Sequence, residues 1–264
     1  MAKNILAFSM LIFVIAACGG SDGEKQTSRQ PPAGPAAQSP GGIWHVIGGP
    51  GESVTMLIAE TGELDVIDVG PAFGAGAVIV NDGDQLVGSY DTRSVQTSPT
   101  PTTSGLDPSC DIEGTLVERV AIKAMLRCVD SDGGETTRTV GMAYDALYES
   151  GSTLAEIAGN YTLSFRSQTN VLNINSDGVI FGMLDNGASC TVNGKVEIID
   201  PRFNLYRFEL LLSSCHVRPS LEGQTFRGLA FRNAPGLADG AFLLLATGTV
   251  DGRLEFFSLG YEPT

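Results

Sequence analysis

Val78-Ile79-Val80-Asn81-Asp82-Gly83-Asp84-Gln85-Leu86-Val87-Gly88 is echoed further along by Leu172-Asn173-Ile174-Asn175-Ser176-Asp177-Gly178-Val179-Ile180-Phe181-Gly182, with a one-residue slip near the end. In each, apolar residues run into a glycine-containing turn and out again. That is the pattern of a two-stranded hairpin, because glycine reaches the positive φ that a tight turn needs. The echo continues in order. Ser-Cys-x-[Ile/Val]-x-Gly occurs at Ser109 to Gly114 and at Ser189 to Gly194, a strand ends near a second cysteine at Cys128 and at Cys215, and Gly-x-Ala-aromatic follows at Gly141 to Tyr144 and Gly228 to Phe231. Four matches in one order predict a duplicated β unit.

Outward from the hairpins, period-two alternation predicts strands at Ile43 to Ile47, Ser53 to Ala59, Leu64 to Val69, Gly76 to Val80, Gln85 to Asp91, Cys110 to Val117, Ala121 to Val129 and Thr136 to Tyr144. The second half predicts Asn160 to Arg166, Val171 to Asn175, Val179 to Leu184, Cys190 to Ile199, Tyr206 to Cys215, Thr225 to Phe231, Ala241 to Thr247 and Arg253 to Leu259. Ser94 to Ser109 reads as a solvated loop. Ser152 to Ala158 is the best helical candidate, with Ser152 or Thr153 as cap and Gly159 as stop, and is expected to be a plug or hinge between two halves. The fold class is therefore all-β: two tandem antiparallel β-barrel or curled-sandwich repeats, 43–151 and 152–264. Closing or curling the sheet removes the exposed edges that so many short strands create. The alternative is one larger barrel built from both halves, with Leu210-Leu211-Leu212 and Leu243-Leu244-Leu245 bulky enough to fill small barrels.

The chain has five cysteines. Cys110, Cys128, Cys190 and Cys215 are an even set that allows three pairings. If equivalent cysteines pair within their own repeat, the disulfides are Cys110–Cys128 and Cys190–Cys215, each contributing roughly 3 kcal/mol. No metal site is expected, since there is no C-x-x-C and His45 and His216 are the only histidines. Asn173, Asn175, Asp177 and Gly178 imitate the start of a calcium loop, but Leu184 stands where its closing glutamate belongs. The acidic run Asp130 to Glu135 reads as a solvated turn.

Met1 to Cys18 (MAKNILAFSMLIFVIAAC) places one cation, Lys3, before an apolar run from Ile5 to Ala17, the layout of a secretory signal. Thirteen residues make about 20 Å of helix, too short for a hydrocarbon core of roughly 30 Å. Residues 1–17 are expected to be removed as a signal peptide. Residues 18–42, rich in Gly, Pro, Ser and Gln, are expected to form a lipidated flexible tether. Gly19-Gly20-Ser21-Asp22-Gly23 matches a nucleophile elbow, yet no strand-to-helix turn is available there to expose the serine. Losing residues 1–17 removes Lys3 alone, leaving fifteen basic against thirty acidic side chains. Such a charge repels phosphates and anionic headgroups, so no nucleic acid is expected as a partner, and membrane attachment must come from lipid.

Ile15-Ala16-Ala17-Cys18 resembles a bacterial lipobox, which implies acylation of Cys18. Gly19, rather than Asp, follows, so the resemblance implies an outer-membrane anchor facing periplasm or exterior. Gly42-Ile43-Trp44, Leu57 to Gly62, Tyr148 with Ser152 to Tyr161, Ser189-Cys190, Asp200-Pro201 and Asn204-Leu205-Tyr206 resemble exported bacterial lipoproteins built from β-rich repeats, over nearly all of the mature chain. The Gly-x-Trp opening is also similar to that of calycin barrels, where a Trp closes one end. No catalytic residue or cofactor is expected: His45 and His216 lie beside no recognised partner motif. The expectation is a lipid-anchored cell-envelope protein acting as a non-catalytic binding or structural module, with an envelope protein as possible partner. The alternative is a calycin-like carrier of an apolar small molecule.

Overall fold

A computed structural model describes residues 38–47, 54–68, 72–81, 83–94, 109–130, 133–165, 168–184, 189–232, 242–250 and 253–261. Residues 1–37, with Cys18 and the Gly19 to Gly23 match, lie outside them. The described residues form strands β1 (Gly42–Ile47), β2 (Val54–Ile58), β3 (Glu63–Asp68), β4 (Ala72–Asn81), β5 (Gln85–Ser94), β6 (Ser109–Val117), β7 (Ala121–Val129) and β8 (Glu135–Tyr144). They continue with β9 (Gly159–Phe165), β10 (Gln168–Ile174), β11 (Val179–Leu184), β12 (Cys190–Ile198), β13 (Tyr206–Ser213), β14 (Thr225–Arg232), β15 (Phe242–Val250) and β16 (Arg253–Tyr261). Each strand expected from the alternation is present, displaced by a few residues at its ends.

The strands close into two antiparallel barrels, β1 to β8 and β9 to β16. β1 pairs with β8, Trp44 opposite Tyr144 and Ile47 opposite Gly141. In the second barrel β16 pairs with β9, Leu259 opposite Leu163. No described strand of one barrel pairs with the other, which overturns the single larger barrel. Alternation explains the closure: β7 buries Ile122, Ala124 and Leu126 and exposes Lys123, Met125 and Arg127. Trp44, Met56, Leu86, Ile112, Leu126 and Met142 belong to one continuous core inside the first barrel. Leu172, Val192, Phe208, Leu210, Leu212 and Phe226 do the same in the second. Of the leucine triplets, Leu210 and Leu212 point inward and Leu211 outward, 40% exposed. The side chains of Leu243 to Leu245 lie outside the described residues.

Each barrel is shut at the start of its first strand by an aromatic that reaches back four residues. Trp44 Nε1–H donates to the Pro40 carbonyl at 3.1 Å. The Tyr161 hydroxyl donates to the Ile157 carbonyl. Ile157 is fully buried in the second core with Leu154 packed against it, so the segment before β9 plugs that barrel. The helix expected over Ser152 to Ala158 is corrected to one 3-10 turn, Ala155–Ile157, preceded by another at Ala146–Ser150. Thr153 Oγ1 does accept the Glu156 N–H at 3.3 Å. Lashing the segment to β13 stops it winding further: the Tyr206 hydroxyl accepts from Thr153 N–H at 3.2 Å.

The echo that revealed the duplication runs two strands out of phase. In barrel order β1 corresponds to β9 and β8 to β16, whereas the matched stretches set β4–β5 against β10–β11, β6 against β12 and β8 against β14. The in-phase counterpart of the β10–β11 turn is the β2–β3 turn. Gly62 and Gly178 have φ of 87° and 80°. Their carbonyls accept from Val78 N–H at 2.8 Å and Val196 N–H at 2.7 Å, and a Cβ on either would meet that neighbouring strand's carbonyl at 2.1 or 2.5 Å. The same stagger recurs at later hairpins, where the Asp84 carbonyl accepts from Leu116 N–H and the Val120 carbonyl from Tyr144 N–H. A barrel with one turn chemistry at successive hairpins matches itself every second strand, which is why the sequence alone slips phase. The disulfides nonetheless pair as expected, Cys110–Cys128 and Cys190–Cys215. They staple different hairpins: Cys110 faces Cys128 across β6–β7, while Cys190 opens β12 and Cys215 follows β13.

Candidate functional site

Three places gather the chemistry-bearing side chains, and the first is the seam between the barrels. On β1 to β3 several outward positions are apolar and buried. Ile43, Leu57, Ala59 and Ile67 leave the first core and pack with Tyr148, Phe203, Leu205, Leu229 and Phe231. Tyr148 stacks on Phe203 at 4.7 Å between centroids, and the guanidinium groups of Arg119 and Arg202 lie 5.3 and 5.2 Å from the Phe203 ring. Asn204, fully buried, receives the Arg232 N–H on Oδ1 at 2.9 Å and donates from Nδ2 to the carbonyls of Arg232 and Leu147 at 2.7 and 3.3 Å. A buried amide satisfied on both ends holds two backbones in register.

Asp65 stands in the same seam, 4% exposed, between the inward Leu64 and Val66. Its Oδ2 accepts the Leu229 N–H at 2.5 Å. Burial pushes its carboxyl up to about 8, with the Leu229 N–H opposing the rise and the Glu63 charge adding to it. Glu63 itself receives Arg207 from the second barrel, Nη2 to Oε2 at 2.5 Å. The Tyr148 hydroxyl donates to Glu60 at 3.2 Å, and burial followed by that carboxylate raises its pKa.

The second place is His45. Its Nδ1 lies 3.0 Å from Thr55 Oγ1 and its Nε2 2.9 Å from Asp145 Oδ2. With the proton on Nε2, His45 donates to Asp145 and accepts from the Thr55 hydroxyl, the order of a hydroxyl–imidazole–carboxylate relay. The other Asp145 oxygen accepts the Leu147 N–H at 2.9 Å and caps the 3-10 turn, so this carboxylate also fixes the segment between the barrels. No motif in the sequence gives His45 a partner. Thr55 faces it across the β1–β2 register, a neighbour the hairpin could have suggested. Asp145 comes from 100 residues away through the β1–β8 closure, and no local pattern announces it.

The third place is the outer face of β9 to β13. One row across the strands reads Asn160, Asn173, Phe181, Asn193, Leu211, each directly opposite the next. Phe181 is 50% exposed at its centre. Two residues further along the strands lie Val171, Met183, Thr191 and Ser213. Lys195, Glu209 and Arg227 mark the next row in the opposite direction.

The remaining sequence candidates resolve as ordinary structure. Asn175 Oδ1 accepts the N–H groups of Asp177 and Val179, closing the turn that imitates a calcium loop. Asp130 Oδ1 accepts the Gly134 N–H in the acidic turn. His216 is exposed just beyond Cys215. Among the described residues no cluster of three or more His, Cys, Asp or Glu is placed to hold a metal ion. No family model matches the chain, and no curated protein matches it.

Proposed function

We propose that the chain is a lipid-anchored cell-envelope protein, held at the outer membrane through an acylated Cys18, that acts as a non-catalytic binding or structural module. The observation that carries this reading is the packing of both barrel interiors by bulky side chains among the described residues. A carrier of an apolar molecule would need an interior cavity of roughly 300 Å³ or more. Here Trp44, Leu86, Ile112 and Leu126 occupy the first interior, and Phe208, Leu210, Leu212 and Phe226 the second. Recognition is thereby left to outer faces and loops. The lipobox supports the anchor, and two disulfides suit an oxidising compartment outside the cytoplasm. Cross-linking in intact cells, followed by isolation of the full chain from the outer-membrane fraction, should recover an envelope component in stoichiometric amount. Recovery of the chain alone overturns the reading, and ester hydrolysis lost in His45→Ala would put an enzyme in its place.

A further inference from the structure

We propose that the outer face of β9 to β13 binds an uncharged glycan, with Phe181 as the stacking platform and Asn173 and Asn193 as hydrogen-bonding arms. This rests on the binding-module reading and names the ligand class of that module. Phe181 lies in register between the two asparagines, Asn173 on β10 and Asn193 on β12. Directly opposite residues on neighbouring strands hold their Cβ atoms about 5 Å apart, so both amides stand within reach of anything laid on the ring. Each amide is oriented: Asn173 Nδ2–H donates to Asn160 Oδ1 at 2.9 Å, and Asn193 Nδ2–H to Ser213 Oγ at 3.5 Å. An amide offers two N–H donors and two acceptor lone pairs, so these contacts use one donor of each and leave capacity for a ligand.

Charge sets two rows of this face apart in a chain of formal charge −14. The two rows through Phe181 and Met183 hold only Asn, Thr, Ser and apolar side chains. On the first barrel, the comparable rows across β5 to β8 contain Glu113 in one, and Asp111 with Arg127 in the next. A neutral patch within an acidic protein, bordered by Lys195, Glu209 and Arg227 in the next row, matches a neutral ligand, and aromatic surface beside amides matches one that alternates C–H faces with hydroxyls. Sugars have that composition. From β9 to β13 the row spans four strand spacings, about 19 Å, which suits an oligosaccharide better than a single sugar.

The test is calorimetric titration of the full lipid-anchored chain in nanodiscs with chitohexaose, cellohexaose and maltohexaose, using polygalacturonate as a charged control. At least one neutral hexaose should bind saturably while polygalacturonate does not. Phe181→Ala should weaken binding about tenfold or more, Phe181→Trp should retain it, and Met125→Ala on the first barrel should leave it unchanged. Phe181 is surface-exposed, so these variants keep their cores, which unchanged near-ultraviolet dichroism would verify. Binding of no neutral probe, or binding indifferent to Phe181→Ala, overturns the proposal. So does self-association in ultracentrifugation that Phe181→Glu abolishes, which would give the face to a second copy. If glycan binding fails while cross-linking still recovers an envelope protein, this inference falls and the binding-module reading stands.

Discussion

Replacing Asp65 by Asn should make the protein progressively more stable than wild type as pH rises, and the size of the effect follows from the seam. In the unfolded chain an Asp ionises near 3.8, whereas burial against Leu229 pushes the folded value up to about 8. Between those values the folded state keeps a proton that the unfolded state has released. Stability therefore falls with rising pH across that window, by about 1.4 kcal/mol per pH unit, and levels off above about pH 8. The full loss is about 6 kcal/mol, an upper figure because the seam can open and hydrate the carboxylate before either barrel unfolds. Asparagine keeps a carbonyl to accept the Leu229 N–H and carries no charge to desolvate. Contributions from the other ionisable groups are common to both proteins and largely cancel in the difference. The assay is urea unfolding of both chains, disulfides intact, at pH 4, 6 and 9. The gap should be near zero at pH 4 and should widen in favour of Asp65→Asn by several kcal/mol at pH 9. A gap that stays constant with pH refutes the buried, protonated seam carboxyl.

Gly62→Ala should cost at least about 3 kcal/mol, since a Cβ there would meet the Val78 carbonyl at 2.1 Å. Gly83→Ala, also at positive φ but with nothing within 4 Å, should cost only about 1 kcal/mol; equal losses in thermal unfolding would refute the strand-stagger argument. Removing either disulfide by double Cys→Ala substitution should lower stability by roughly 3 kcal/mol, from loops closed over 18 and 25 residues, without opening the other barrel. Loss of both barrels together on cutting one would contradict separate cores. Cys18→Ala should abolish palmitate labelling and leave unprocessed precursor; unchanged labelling and fractionation would end the lipoprotein reading.

Strands and their order are legible because alternation over eight or nine residues, as in Cys110 to Val117, reports one wet and one dry face. The phase of the duplication is not, because β2–β3, β4–β5 and β10–β11 share one turn chemistry. The seam left a trace in composition: β2 and the start of its turn, Val54-Thr55-Met56-Leu57-Ile58-Ala59, are too apolar for a sheet with one face in water. Some residues of the lipoprotein resemblance also gather there, Ile43, Leu57, Tyr148, Asn204 and Leu205. What no pattern reveals is which polar residue goes under. Asp65 between Leu64 and Val66 reads as an outward, solvated carboxylate, and only a contact 164 residues away buries it. His45 hides its Asp145 partner, 100 residues away, in the same manner.

We propose that this protein works from the outside of its two barrels, whose described interiors are packed. Native mass spectrometry of the chain extracted from its own membrane tests it most directly. The mass should be that of the acylated chain with two disulfides, free of any stoichiometric small molecule in its interior and accompanied by an envelope component. A stoichiometric apolar small molecule that survives extraction and dissociates only as a barrel unfolds would contradict it.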